Sequence, residues 1–369
     1  MVNEEQEILI IFPKHYRIEG SPNLEEFAPV FRAISRLSSL SREEPFGPEP
    51  QPLIETSYPF KAFFEVFNYY NRFGLHFDEV WIDSKDRGKA NWKKTINSAE
   101  YFLSDGRLAF FPIRRESTLR SNNLVTDAMV YVINHTVSLF GSLVGAGRIP
   151  FKTSVKDDTS SYQTIYVQLR KIRASTFNDR YVALLDSLIS FFSNLESGSG
   201  YYFKTRNFAY VWETTVGEFL KSRFNSIDEA GNPCFDISFR HPSSQDRFKK
   251  LTVANINSEL PNQSVTIDHY WLDVETDTQY VFDSKYYRDL KDLNYKQIFY
   301  TLLQSLDPGL QGTTVVSALL LPSECFSAET HFSLDPNYSA MLQAPNPSLC
   351  IKAFYLDCKQ VIECYQQDF

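Results

Sequence analysis

Cysteine is scarce in this 369-residue chain: there are five, and no two stand as Cys-x-x-Cys. That pattern argues against zinc ligands and disulfides and fits reduced thiols in the cytoplasm. The six histidines never fall at metal-ligand spacing. No apolar run approaches the roughly 18 residues of a membrane span. The opening "MVNEEQEILIIF" has acids where a signal peptide has basic residues. A cytoplasmic protein with no membrane contact is therefore expected. The glycine-rich "GSLVGAGR" at 141–148 lacks the Lys-Ser/Thr ending of a phosphate-binding loop, so any nucleotide hydrolysis would belong to another chain. No serine or cysteine sits in a nucleophile-elbow context. There is no internal repeat and no low-complexity segment.

Aromatic residues, by contrast, are abundant. With 31 Phe and 21 Tyr, and 43% of all residues hydrophobic, the chain can fill the cores of about two domains. Such a composition does not belong to a disordered chain. The net charge is −8, yet residues 101–200 carry 11 Lys and Arg against 8 Asp and Glu. A DNA footprint needs a local basic face rather than a basic whole, so charge neither supports nor excludes DNA.

Residues 46–59 hold four of the 18 prolines and read as an irregular connector. Helical periods occur near 24–38, at 60–72, at 126–142 and at 180–196, and the last ends in "SGSG" at 197–200. Glycine and serine stop a helix and loosen the chain. This places a domain boundary there, with an α+β docking domain over residues 1–199 and a second domain over 200–369. The second opens on "RNFAYVWETTVGEFLKSRF", where Phe208, Val211, Trp212, Thr215, Val216, Phe219 and Leu220 form one apolar stripe. Strand-like runs follow, then the helical "LNYKQIFYTLLQSL", two more strands and a last helix. The expected class is α/β, a mixed sheet flanked by helices.

Within it, "VFDSKYY" at 281–287 sets Asp283 and Lys285 two apart on a strand, hence on one face. Asp-x-Lys alone means little, because the chain has three more copies. Asp83-Ser84-Lys85 runs into what reads as a turn, and Asp289-Leu290-Lys291 stands at a helix entrance. Asp357-Cys358-Lys359 leaves only ten residues for the rest of a site. Asp283-Ser284-Lys285 differs in context. Asp268 lies fifteen residues upstream in the β-like "VTIDHYW", and "LDVETDT" between them can turn as a hairpin. Gln297 falls in the first turn of the next helix, within reach of Lys285 or a phosphate.

Metal-dependent phosphodiester cleavage requires such a set. Mg2+ takes oxygen ligands and keeps several waters, so two or three carboxylates suffice. The ion polarises the phosphate and helps to activate water. A neighbouring ammonium orients that water and offsets charge on phosphorus. The plainer alternative is an exposed ion pair on an edge strand. Glu213 and Glu218 flank the helical stripe on opposite sides, and periodicity does not choose between them. His269 points to the opposite strand face from Asp268 and reads as a packing residue.

The arrangement resembles the PD-(D/E)XK nuclease core. Ile267-Asp268 stands at the usual Pro-Asp, and Asp283-Ser284-Lys285 stands at Asp/Glu-x-Lys. The missing proline shapes a turn and ligates nothing. "VWETTVGEFL" and "GKANWKKTINS" at 88–98 resemble the Trp-Glu and Asn-Trp-Lys-Lys-Thr-Ile signatures of LlaJI-type restriction endonucleases. The resemblance implies the nuclease subunit of a prokaryotic anti-phage restriction system cleaving double-stranded DNA. It also implies similarity to the McrC subunit, which works with an AAA+ GTPase, so a McrB-like partner is expected. The Trp-Glu match favours Glu213 over Glu218.

On this reading Asp268, Asp283 and Glu213 hold Mg2+, which Mn2+ replaces, with the Ser284 carbonyl assisting. Lys285 orients the attacking water and Gln297 steadies Lys285. Trp92, Lys93 and Lys94 touch phosphates or the motor, or else form a solvated loop around one packed tryptophan. Cutting two strands needs two sites, so a homodimer on DNA is expected. The rival expectation is a catalytically inactive nuclease-fold adaptor that binds DNA or the motor.

Overall fold

The computed structural model describes residues 10–20, 23–40, 54–84, 88–104, 106–121, 123–195, 201–205, 207–238, 247–287, 290, 292–339 and 349–367. Among them no helix is long and apolar enough to cross a membrane. The chain divides into two compact units, one of residues 1–55, 142–144 and 204–369, the other of 56–141 and 145–203. This differs from the single break expected after residue 199. The last break falls close by, at 203/204, but the chain before residue 56 belongs with the C-terminal unit. The reason is helix α1 (Leu24–Leu40), whose Val30, Phe31, Ile34 and Leu37 are buried. That stripe has to be covered, and α1 packs on the helices of the C-terminal unit.

The C-terminal unit is an α/β layer, as its sequence grammar indicates. Helix α2 (Phe208–Arg223) is capped by Asn207, whose side chain accepts from the Tyr210 N–H. Its Val211, Trp212, Thr215, Val216, Phe219 and Leu220 are all buried. The strands are β1 (Lys249–Ala254), β2 (Ser264–Asp273), β3 (Thr278–Ser284), β4 (Thr314–Ser323), β5 (Ser327–Ser333) and β6 (Cys350–Asp357). They form one six-stranded sheet in the order β1-β2-β3-β4-β6-β5. β1, β2 and β3 are an antiparallel meander; β3, β4 and β6 are parallel; β5 closes the far edge antiparallel to β6.

The β2–β3 turn forms where expected. Asp273 accepts from the Glu275 N–H and the Thr276 hydroxyl, and Asp277 takes a positive φ of 50°. Parallel pairing of β3 with β4 requires a crossover, supplied by α3 (Tyr295–Ser305), which Asn294 caps. Helix α3 packs on the sheet face carrying Leu319, Leu321, Ile351 and Ala353 through Ile298, and on Val281 and Ile267 through Tyr300. Helix α2 lies over the other face, where the Trp212 indole N–H donates to the Leu320 carbonyl. The last helix, α4 (Cys358–Gln367), packs against α1 and α2.

The other unit has helices at Phe60–Phe73, Thr159–Ala174 and Asp179–Asn194, and most of the helix Leu124–Val144. A three-stranded sheet joins Asp78–Ser84, Arg115–Ser121 and Lys89–Ala90, and a separate hairpin pairs Glu100–Ser104 with Arg107–Phe111. Tyr58, Phe63, Leu188 and Phe191 lie in its core.

Candidate active site

Antiparallel pairing sets His269 opposite Phe282 on β2 and β3. The paired stretch ends there, and β2 is irregular between Ile267 and Tyr270. Asp268, within that irregularity, meets Asp283 through a side-chain hydrogen bond, with Lys296 of α3 close to both. Asp283 is completely buried, and Asp268 is partly so. Burial pushes the Asp268 carboxyl up to about 7, aided by a hydrogen bond with Asp283 and by the negative charges of Asp283 and Glu213. One proton shared between two facing carboxylates relieves a repulsion that water cannot screen there.

Both oxygens of Asp283 are shut off from solvent. Its counter-charges are two ammonium groups. Lys285 forms an ion pair with Oδ2, and its backbone N–H donates to the Leu320 carbonyl at 2.9 Å. Lys296 stands 3.8 Å from Oδ1. The buried carboxylate at the middle of the sheet therefore replaces the exposed edge-strand pair that the triplet alone allowed.

The two helix acids differ in their partners. Glu213 accepts from Lys250 of β1 at 2.7 Å and its charge acts on Asp268. Glu218 pairs instead with Lys221 at 2.7 Å and acts on Arg36 and Tyr365, away from the aspartates. Among the described residues no three acidic, histidine or cysteine side chains converge closely enough to hold a metal ion. What comes together is the aspartate pair, with Glu213 turned to Lys250.

Gln297 does not reach Lys285. Its Nε2 donates to the Val281 carbonyl at 2.8 Å and to the Ser317 hydroxyl at 2.9 Å, and its buried Oε1 has no partner. It ties α3 to β3 and β4 beneath the site, and its carbonyl oxygen, the only atom of the amide that could accept from a lysine, is buried away from Lys285. Gln297→Ala is expected to cost about 2 kcal/mol through the two lost bonds, seen as a fall in Tm of about 4–8 °C. His269 is buried on the opposite face, packed near Gly217, with Nε2 2.7 Å from the Ser284 hydroxyl. Burial pushes its pKa down to about 3, so it stays neutral.

The other Asp-x-Lys copies are elsewhere. Asp83 lies on the strand Asp78–Ser84, opposite Glu116; Lys85 and the two residues after it, where the turn is expected, lie outside the described residues. Asp289 and Lys291 also lie outside them. Asp357 accepts from the Gln360 N–H at the start of α4, and Lys359 pairs with Glu26 at 2.8 Å. Residues 92–98 form a short helix rather than a loop. Trp92 and Lys93 are exposed on it, and Lys94 pairs with Glu116 at 2.8 Å.

Sequence reasoning missed Lys296 and Lys250. The position of Lys296 beside Gln297 in the first turn of the crossover helix was a usable signal, but nothing in the sequence gave the direction of its side chain. A model of the LlaJI restriction endonuclease family matches residues 55–298, well over half of the chain. The chain belongs to the LlaJI restriction endonuclease family. The matched span includes Glu213, Asp268, Asp283, Lys285 and the segment 88–98. Membership makes it a restriction-system nuclease with DNA as substrate. No curated protein matches the chain.

Proposed function

We propose that this LlaJI-family chain is the Mg2+-dependent endonuclease subunit of a prokaryotic restriction system, with a PD-(D/E)XK core that cuts double-stranded DNA in the cytoplasm together with an AAA+ GTPase. The observation that carries the reading is the pair Asp268 and Asp283, in which burial first, and then the neighbouring carboxyl group, raises the Asp268 pKa. Two carboxylates so placed need a proton or a cation between them. The donor set is all oxygen, which suits a hard divalent ion that keeps most of its waters.

Asp268 and Asp283 would hold that ion, with Glu213 joining them on leaving Lys250 and the Ser284 carbonyl assisting. Bound there, the ion supplies polarisation of the phosphate and a lowered pKa for the attacking water. Lys285, fixed by its backbone bond to β4, orients that water and offsets charge on phosphorus. Calorimetric titration with Mn2+ is expected to show binding that Asp283→Ala abolishes. A silent titration in the presence of DNA would instead favour a nuclease-fold adaptor that does not cut.

The partner is the second half of the proposal. The chain is acidic overall, so its own hold on a polyanion is weak and steeply salt-dependent. In the other unit, Tyr101, Leu103 and Leu108 lie exposed on one face of the 100–111 hairpin, and Trp92 is exposed on the short helix that contacts it. Exposed apolar groups so clustered support docking to a protein, here the GTPase. The isolated chain should cut plasmid DNA poorly and without sequence choice at near-physiological salt. Specific cleavage should require the copurified GTPase, GTP and Mg2+, with two nuclease sites meeting on the DNA. Discrete, sequence-defined fragments from the chain alone would sink the two-subunit reading.

A further inference from the structure

We propose that Lys296 is a second active-site lysine, which leaves Asp283 when a divalent cation joins the aspartate pair and then contacts a non-bridging phosphate oxygen of the bound DNA. The inference rests on the nuclease reading and adds a substrate-contacting residue to it.

The two lysines around Asp283 are not equivalent. Lys285 is largely buried, with its side chain 16% exposed, and is paired closely with Oδ2. Lys296 has a side chain 55% exposed and stands 3.8 Å from Oδ1, too far for a good hydrogen bond. Its stem starts from the first turn of α3, and its ammonium lies 5.2 Å from the centre of the Tyr300 ring. Tyr300 is itself fixed, buried and donating to the Thr266 carbonyl at 2.7 Å. Lys296 is thus a half-exposed cation that hydrogen-bonds Tyr300 and stands at the open side of a buried carboxylate.

Charge balance gives it a destination. Asp268, Asp283 and Glu213 face Lys285, Lys296 and Lys250. With all six ionised the cluster is neutral. Adding a divalent ion leaves two positive charges in surplus and places a stronger cation against Asp283. Lys296 holds that carboxylate most loosely and is the most exposed of the two lysines on it, so it is the one displaced. The nearest anion then available is the phosphodiester brought to the ion. The exchange moves an ammonium by the swing of a flexible side chain and breaks no covalent bond.

The test is the salt dependence of binding to a short duplex, measured by fluorescence anisotropy from low salt upward, with and without Ca2+ as a divalent occupant. One phosphate contact contributes about 0.9 to the slope of log K against log salt. In Ca2+, Lys296→Ala should reduce the slope by about 1, and Lys296→Arg should restore it. Without a divalent ion, Lys296→Ala should leave the slope unchanged, because Asp283 holds the lysine. A slope unaffected in Ca2+ overturns the inference, as does an equal loss in both conditions or wild-type binding too weak to titrate. Circular dichroism of Lys296→Arg guards against misfolding as the cause. If the predicted slopes appear but the wild type with its GTPase never cuts, the nuclease reading fails and the phosphate contact stands.

Discussion

Lys285→Ala is expected to lower the cleavage rate at least about a thousandfold, the scale on which a group acting mainly on the transition state operates. DNA binding should change little, because a residue of this kind contributes more to turnover than to affinity. The structure adds a second effect. Lys285 is the close counter-charge of a carboxylate that is fully buried. Removing it leaves Asp283 with the looser Lys296 and the shared proton of Asp268. The metal-free variant should therefore melt several degrees below the wild type, since uncovering a buried charge is costly. Saturating Mg2+ should restore part of that loss without restoring cleavage. Lys85→Ala, in the other Asp-Ser-Lys triplet, is the control. An inactive Lys85→Ala beside an active Lys285→Ala would show that the site lies elsewhere.

The second large effect concerns the aspartate pair. Asp268→Asn and Asp283→Asn should each lose divalent-cation affinity and cleavage. Asp268→Asn should also gain metal-free stability, and the gain should depend on pH. The Asp268 carboxyl titrates near 7 in the folded protein and near 4 when unfolded. The folded state therefore binds its proton more tightly. The group favours folding most below about pH 4, and that contribution is lost as pH rises toward 7 and beyond. Asparagine carries no such penalty and can donate to Asp283. Relative to the wild type, its Tm should be equal or lower near pH 4 and higher by about 2–4 °C at pH 8. That corresponds to about 1 kcal/mol after solvent screening of a partly exposed group. A lower Tm at pH 8 for the metal-free variant would argue that Asp268 serves as a structural ion-pair partner. Thermal melts across this range in EDTA decide it.

Some of this was legible before any fold was known. The i, i+3, i+4 stripe of α2 and the strand character of β2 and β3 follow from side-chain spacing, which local chemistry sets. So does the turn between them, because Asp273 satisfies backbone and hydroxyl donors within three residues of itself. Once β2 and β3 were strands joined by a short turn, Asp268 and Asp283 had to lie near one another, and period two put Lys285 on the same face. Local sequence thus determined the catalytic candidates on the hairpin and the α/β class.

Tertiary packing decided the remainder. Glu213 and Glu218 are symmetric about the apolar stripe, and only the sheet on one side and α1 and α4 on the other distinguish them. The place of Gln297 in the first turn of the next helix put it within reach of Lys285 or a phosphate. In the structure its amide donates to the Val281 carbonyl and Ser317, partners brought together by the parallel pairing of β3 with β4, 36 residues apart. Lys296 enters the site for the same reason, since the crossover alone sets which way its helix faces. The grouping of the first 55 residues with the C-terminal unit was not legible either. Proline, glycine and serine mark where a chain can bend, whereas membership of a core depends on which distant surface covers a stripe such as that of α1. The sequence by itself determined which acids and which lysine are the candidates for the chemistry. The tertiary structure decided which of their neighbours share the charge, because burial and opposition across strands are properties of contacts that no local window contains.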